Sequence, residues 1–153
     1  MITSTYTGIH RQRGVTLLEL MLVVVIIAII SSFAYPFYSG YIVEAKRAAA
    51  SSALLRVADR QQQFFLDNKS FADDLTDLGF PADPWVIAKD GRAVDGDDPG
   101  SVYSLSLSNV GATTYTATAA PLNGQLAADE TCGSLTLTQA GARGASGSGT
   151  SCW

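Results

Sequence analysis

The sequence predicts an α+β fold: a long N-terminal spine helix packed on an antiparallel β-sheet, finished by a C-terminal loop between two cysteines. Three observations carry this expectation. Residues 15–38 are almost wholly apolar and lead directly into an amphipathic helical pattern. Beyond Pro99 the chain breaks into short runs that alternate in polarity, separated by Gly and Asn. The two cysteines, Cys132 and Cys152, both lie near the C-terminus.

The first element is preceded by fourteen polar residues that carry Arg11 and Arg13 but no acid. The 24 residues from Val15 to Tyr38 then suffice, as a helix, to cross a bilayer core of about 30 Å. The arginines ahead of this run predict a cytoplasmic N-terminus and an exported C-terminal domain. Ser32-Phe33-Ala34 would serve an ordinary secretory signal as a cleavage site, and a plain anchor needs no special residue at all. Neither reading accounts for Glu19, the single charge in the run. A carboxylate at the centre of a membrane helix costs about 3 kcal/mol, so it demands a function unless it snorkels to the interface.

Helical periodicity continues beyond the apolar run. Pro36 is expected to kink the helix or remove one hydrogen bond, and Gly40 to loosen it. Ala50, Ala53, Leu54, Val57, Ala58, Phe64 and Phe65 recur at spacings of three and four. Ser51, Ser52, Arg56, Asp59, Arg60 and Gln63 take the opposite side. An unbroken helix from Val15 to about Asp67 would run roughly 80 Å, too long to be buried within one small head. Lys46 and Arg47 read as a solvated or headgroup-facing pair. Ser70 to Asp73 has the spacing of a capping box and predicts one short helical turn ending at Gly79. Pro81, Pro84, Asp90-Gly91, Asp95-Gly96 and Pro99-Gly100 predict an exposed, turn-rich loop. Residues 101–108, 114–120 and 134–139 read as half-buried strands, with Tyr103, Leu105 and Leu107 sharing a face. Gly111 and Asn123-Gly124 supply turns between them, and Gln139-Ala140-Gly141 turns into one more short strand. The Gly/Ser-rich tail 144–150 would be flexible unless Cys152 ties it back to Cys132. That bond would stabilise the fold by roughly 3 kcal/mol. An even cysteine count behind a membrane-directed N-terminus favours this disulfide over a metal pair.

The charge distribution bounds the function. The whole chain carries −4, with ten acids against four bases between Asp59 and Asp98. General attraction to nucleic acid gains no support from this balance. The sequence holds one histidine, His10, and no CxxC, HExxH or phosphate loop, so neither an enzyme nor a cofactor site is expected. Asp73, Asp74 and Asp77 read as a solvated turn rather than an acid/base pair. Asp95-Gly96-Asp97-Asp98 does not match an EF-hand spacing, so no metal site is expected. Trp85 and Trp153 read as residues partly buried in a core or interface rather than as ligand platforms.

The octapeptide Arg13-Gly14-Val15-Thr16-Leu17-Leu18-Glu19-Leu20 resembles the processing motif of the type IV pilin family. Two departures are Val15 where the family usually has Phe, and a leader longer than the commonest ones. The C-terminal stretch CGSLTLTQAGARGA with its closing Cys-Trp is similar to that of PilE-type minor pilins. The resemblance implies a cleaved leader (1–14), a transmembrane and filament-core helix (15–38) and a globular head (39–153). It implies cleavage between Gly14 and Val15 by a prepilin peptidase, methylation of Val15, and a Glu19 carboxylate that pairs with the Val15 amino group of a neighbouring subunit. It also places a Cys132–Cys152 disulfide loop on the edge of the head. The implied partners are other pilin subunits, the inner membrane before assembly and the peptidase/methyltransferase, with no small-molecule substrate. The implied location is the bacterial inner membrane and then an extracellular pilus serving motility, adhesion or DNA uptake. A type II secretion pseudopilin shares the N-terminal motif, and an adhesin or DNA-receptor pilin is a third reading. Loss of the leader would leave eight bases and fourteen acids, a net charge of −6, which disfavours broad contact with phosphates.

Overall fold

The computed structural model describes residues 15–153, without the side chains of 34–37; the expected leader, including Gly14, lies outside the described residues. The chain divides into two compact units, one ending at Tyr38 and the other running from Ser39 to Trp153. Helix α1 (Leu17–Asn68) runs on through Pro36 and Gly40, so the proline does not end it. Its start is capped by Thr16, whose hydroxyl accepts the Glu19 amide at 3.2 Å. At its end Lys69 takes a left-handed φ of 59°, its amide bonding the Phe65 carbonyl at 2.9 Å.

From Ser39 onward α1 presents the expected stripe: Ala50, Ala53, Leu54 and Val57 are buried, and Ala58, Phe64 and Phe65 are half-buried. Gln61 lies on the same stripe and is buried too, although its amide is polar. It bridges to the connector, donating to the Ala72 carbonyl at 2.7 Å and accepting the Ala72 amide at 3.0 Å, so both halves of the side chain are satisfied.

The connector departs from expectation. No helix forms between Ser70 and Gly79; the segment folds as successive turns. The local cap is Asp74, whose carboxylate accepts both the amide and the hydroxyl of Thr76 at 2.6 Å, an Asx-type turn that competes with helix. These hydrogen bonds hold the Asp74 carboxyl below its ordinary pKa. Gly79 closes the run at φ 81°, where a side chain would be strained.

The region expected to be an exposed loop contains β1 (Trp85–Ala88), all four residues of which are buried. Next come β2 (Ser101–Ser108), β3 (Thr116–Pro121), a short helix α2 (Asn123–Ala128), β4 (Leu135–Thr138) and β5 (Arg143–Ala145). Strand order follows chain order and every pairing is antiparallel. Register lines up one row across all five strands: Trp85, Leu105, Ala119, Leu135, Ala145. Because side chains alternate along a strand, this row and its period-two neighbours, Tyr103, Ala117 and Leu137, face the core that contains the α1 stripe. Asn123-Gly124 does not make a simple turn but opens α2, with the Asn123 amide donating to Ser101 at 2.8 Å and 3.1 Å.

Candidate functional site

Two features carry functional meaning: the first half of α1 and the polar network around Arg47. In the first, Val15, Leu17, Leu18 and every large apolar residue through Phe33 are exposed. α1 is the one helix among the described residues long and apolar enough to cross a membrane. Val15 is 70 % exposed, and Glu19 is exposed one turn further on with its backbone amide held by Thr16. An acid in a helix's first turn is also favoured by the dipole. The described residues thus place two of the three expected processing and assembly positions at the start of α1; Gly14 lies outside them.

The polar network overturns one expectation. Arg47 is not a solvated partner of Lys46. Its Nε donates to Asp129 Oδ2 at 2.9 Å, and its Nη2 to Asp129 Oδ1 at 2.6 Å, the bidentate geometry that makes Arg–carboxylate pairs strong. Asp129 is 1 % exposed. Tyr103 donates its hydroxyl to the same carboxylate at 3.1 Å, and the Gln125 amide reaches it at 3.2 Å while also touching the Val43 carbonyl at 3.3 Å. A further Arg47 bond, Nη1 to the Ser151 carbonyl at 3.3 Å, extends the network into the tail. The hydrogen bond to Asp129 raises the Arg47 pKa above its ordinary value against the opposing effect of burial. Burial, above all, pushes the Tyr103 phenol up to about 12. The network therefore bolts the Val43–Arg47 turn of α1 to α2, β2 and the C-terminal loop. The sequence carried a weak sign of it, because Asp129 is one of only three charges after Pro99.

The C-terminal loop is closed by a Cys132–Cys152 disulfide with a Cα–Cα distance of 5.4 Å. It encloses β4 and β5, and its glycines do more than supply flexibility. A Cβ on Gly147 would collide with the Thr131 carbonyl, and one on Gly149 would sit 2.9 Å from Cys132's partner sulfur on Cys152. The amides of both glycines instead bond the Cys132 and Thr131 carbonyls at 3.0 and 2.8 Å. Trp153 lies back on the sheet, its indole N–H donating to the Gly144 carbonyl at 2.8 Å with the Arg143 guanidinium over its ring. Trp85, by contrast, is a core residue, 2 % exposed and stacked on Phe80 at 4.4 Å.

Among known families, residues 36–136 match the one described as "Type IV minor pilin ComP, DNA uptake sequence receptor". Residues 9–35 match the prokaryotic N-terminal methylation motif. The chain is 34 % identical over 70 residues to the type IV major pilin protein PilA of Myxococcus xanthus, which covers 46 % of this chain and 32 % of that one. It therefore spans about a third of the length of that relative. It is 31 % identical over 105 residues to type II secretion system core protein G of Dickeya chrysanthemi, covering 63 % of this chain and 69 % of the other. A solved type IV pilin from Shewanella oneidensis aligns with a TM-score of 0.49 at 20 % identity, over 72 % of this chain and 97 % of its own.

Proposed function

Since the chain belongs to the type IV minor pilin ComP family, a family of structural subunits and not of enzymes, we propose that it is a minor subunit of a type IV pilus. In this reading a prepilin peptidase cuts between Gly14 and Val15 on the cytoplasmic face and Val15 is methylated. The apolar half of α1 holds the subunit in the inner membrane with its head outside, and the subunit then passes into the filament. The observation that carries the reading is the exposed, predominantly apolar surface from Val15 to Phe33, in which Glu19 is the single charge. Such a surface is stable only in lipid or against other apolar helices. Head-to-tail packing that does not close then builds a filament. Within it, Glu19 pairs with the Val15 amino group of the next subunit, because an unpaired buried charge would be costly and the pairing fixes register. The filament would serve surface attachment and twitching motility.

The test is to shear filaments from intact source cells, quantify this protein by mass spectrometry against the main pilin, and read its N-terminus in the same run. A methylated Val15 peptide at low stoichiometry is expected. An N-terminus at Tyr35 would overturn the reading. Processed protein retained in the envelope and absent from sheared filaments would instead support a secretion pseudopilus subunit, the alternative favoured by the similarity to core protein G. The family description also raises direct DNA binding; the net charge of −6 expected after processing weighs against it. Tight, salt-sensitive binding in a salt titration would reverse that preference.

A further inference from the structure

Between α1 and the turn that follows β1 lies an open cleft of about 830 Å³, walled by Trp85 and Phe80 and edged by Arg56, Arg60 and Arg92. We propose that this cleft is a binding site for an oxyanion, a carboxylate or phosphate group. Arg56 and Arg60 stand four residues apart on α1, so they project from one face a single turn from each other. Arg92 approaches from the turn that follows β1.

Neither Arg56 nor Arg60 has a carboxylate partner among the described residues. Arg56 is held instead by its guanidinium lying 4.8 Å from the centre of the Trp85 ring. That contact orients the planar fork while leaving its N–H groups free to donate. Two acids share the lining with the three arginines, which leaves the cleft one positive charge in excess. Asp59 accepts the Gln63 amide at 2.9 Å, and Asp90 accepts the Arg92 backbone amide at 3.1 Å. The Arg92–Asp90 ion pair is long, 3.8 Å, and exposed on both sides, so it is easily replaced. A chain this acidic thus gathers three of its arginines at one aromatic-walled cleft, and guanidinium groups in such a setting recognise oxyanions by paired, charge-assisted hydrogen bonds.

The test uses the full chain in detergent micelles carrying Trp153→Phe, so that Trp85 is the remaining indole and reports from the cleft wall. Inorganic phosphate and acetate are titrated in separate arms at low ionic strength, with chloride at matched ionic strength as the control. A saturable change in Trp85 emission with phosphate or acetate, absent with chloride, is expected, and the tighter arm identifies the preferred group. Arg60→Gln and Arg92→Gln should each weaken the midpoint about tenfold, the effect of losing one charged hydrogen bond, with an unchanged thermal melt. No saturable response in either arm would overturn the proposal, and so would a midpoint unmoved by both variants. Because the titration involves no filament, its failure and that of the pilus reading are distinguishable.

Discussion

Arg47 and Asp129 lie 82 positions apart in the chain and share a bidentate contact. The arginine side chain is 16 % exposed and the carboxylate 1 %, so removing the arginine strands a buried charge. Arg47→Met is expected to destabilise the head by about 3 to 5 kcal/mol, read from the urea midpoint of the full chain in micelles. Arg47→Met combined with Asp129→Leu should recover part of the loss; a single variant that melts like the parent would refute the argument. Tyr103 donates to the same carboxylate and bears on pH. Its phenol, pushed up to about 12 chiefly by burial, keeps its proton where an unfolded chain's tyrosine, with a pKa of about 10, has lost it. The folded-state value is the higher one. The contribution of this phenol is therefore fully present below a pH of about 10 and is lost between about 10 and 12. Burial raises Tyr115 in the same sense. Tyr103→Phe should flatten the decline; equal slopes in both proteins, measured by urea unfolding at several alkaline pH values, would contradict it.

At the scale of elements, periodicity was most informative where an element meets one neighbour through a single face. The α1 stripe, the three alternating strands and the short strand after Gly141 are of this kind, and each lies where its pattern predicts. The misreadings share a cause as well. β1 is four buried residues flanked by Pro and Gly, too short to show alternation and surrounded by turn signals. α2 begins at an Asn-Gly that ordinarily marks a hairpin, and is held by side-chain bonds to Ser101, 22 positions earlier in the chain. The 70–79 connector gave up its helix to the Asp74 turn and the Gln61 bridge. The disulfide loop yields a prediction at this scale. Cys132→Ser with Cys152→Ser should lower stability by roughly 3 kcal/mol. It should also release hydrogen-exchange protection at Arg143–Ala145 while β2 and β3 keep theirs. Protection unchanged at β5 would show that the glycine contacts alone hold the loop.

At the scale of the molecule, the hydrophobic core draws its residues from Ala50 to Cys152, so the apolar start of α1 contributes nothing to it. A chain beginning at Ser39 is therefore expected to stay soluble and to melt cooperatively; a non-cooperative melt would show that the head depends on the spine. Conversely, Glu19→Ala should leave membrane insertion and head stability intact while reducing recovery of the protein in sheared filaments at least severalfold. Normal recovery would remove the carboxylate from assembly. The class and the layout were legible before folding: a membrane-length apolar helix with one acid, an amphipathic continuation, an antiparallel sheet and a pair of C-terminal cysteines. These follow from composition and from periods of 3.6 and 2, which are local properties of the chain. That Arg47 is locked to Asp129, that Gln61 is buried, that Trp85 belongs to a strand and that three arginines share a cleft emerges only once the chain is folded. Each of these depends on residues distant in sequence meeting in space, where burial favours polar groups that find partners.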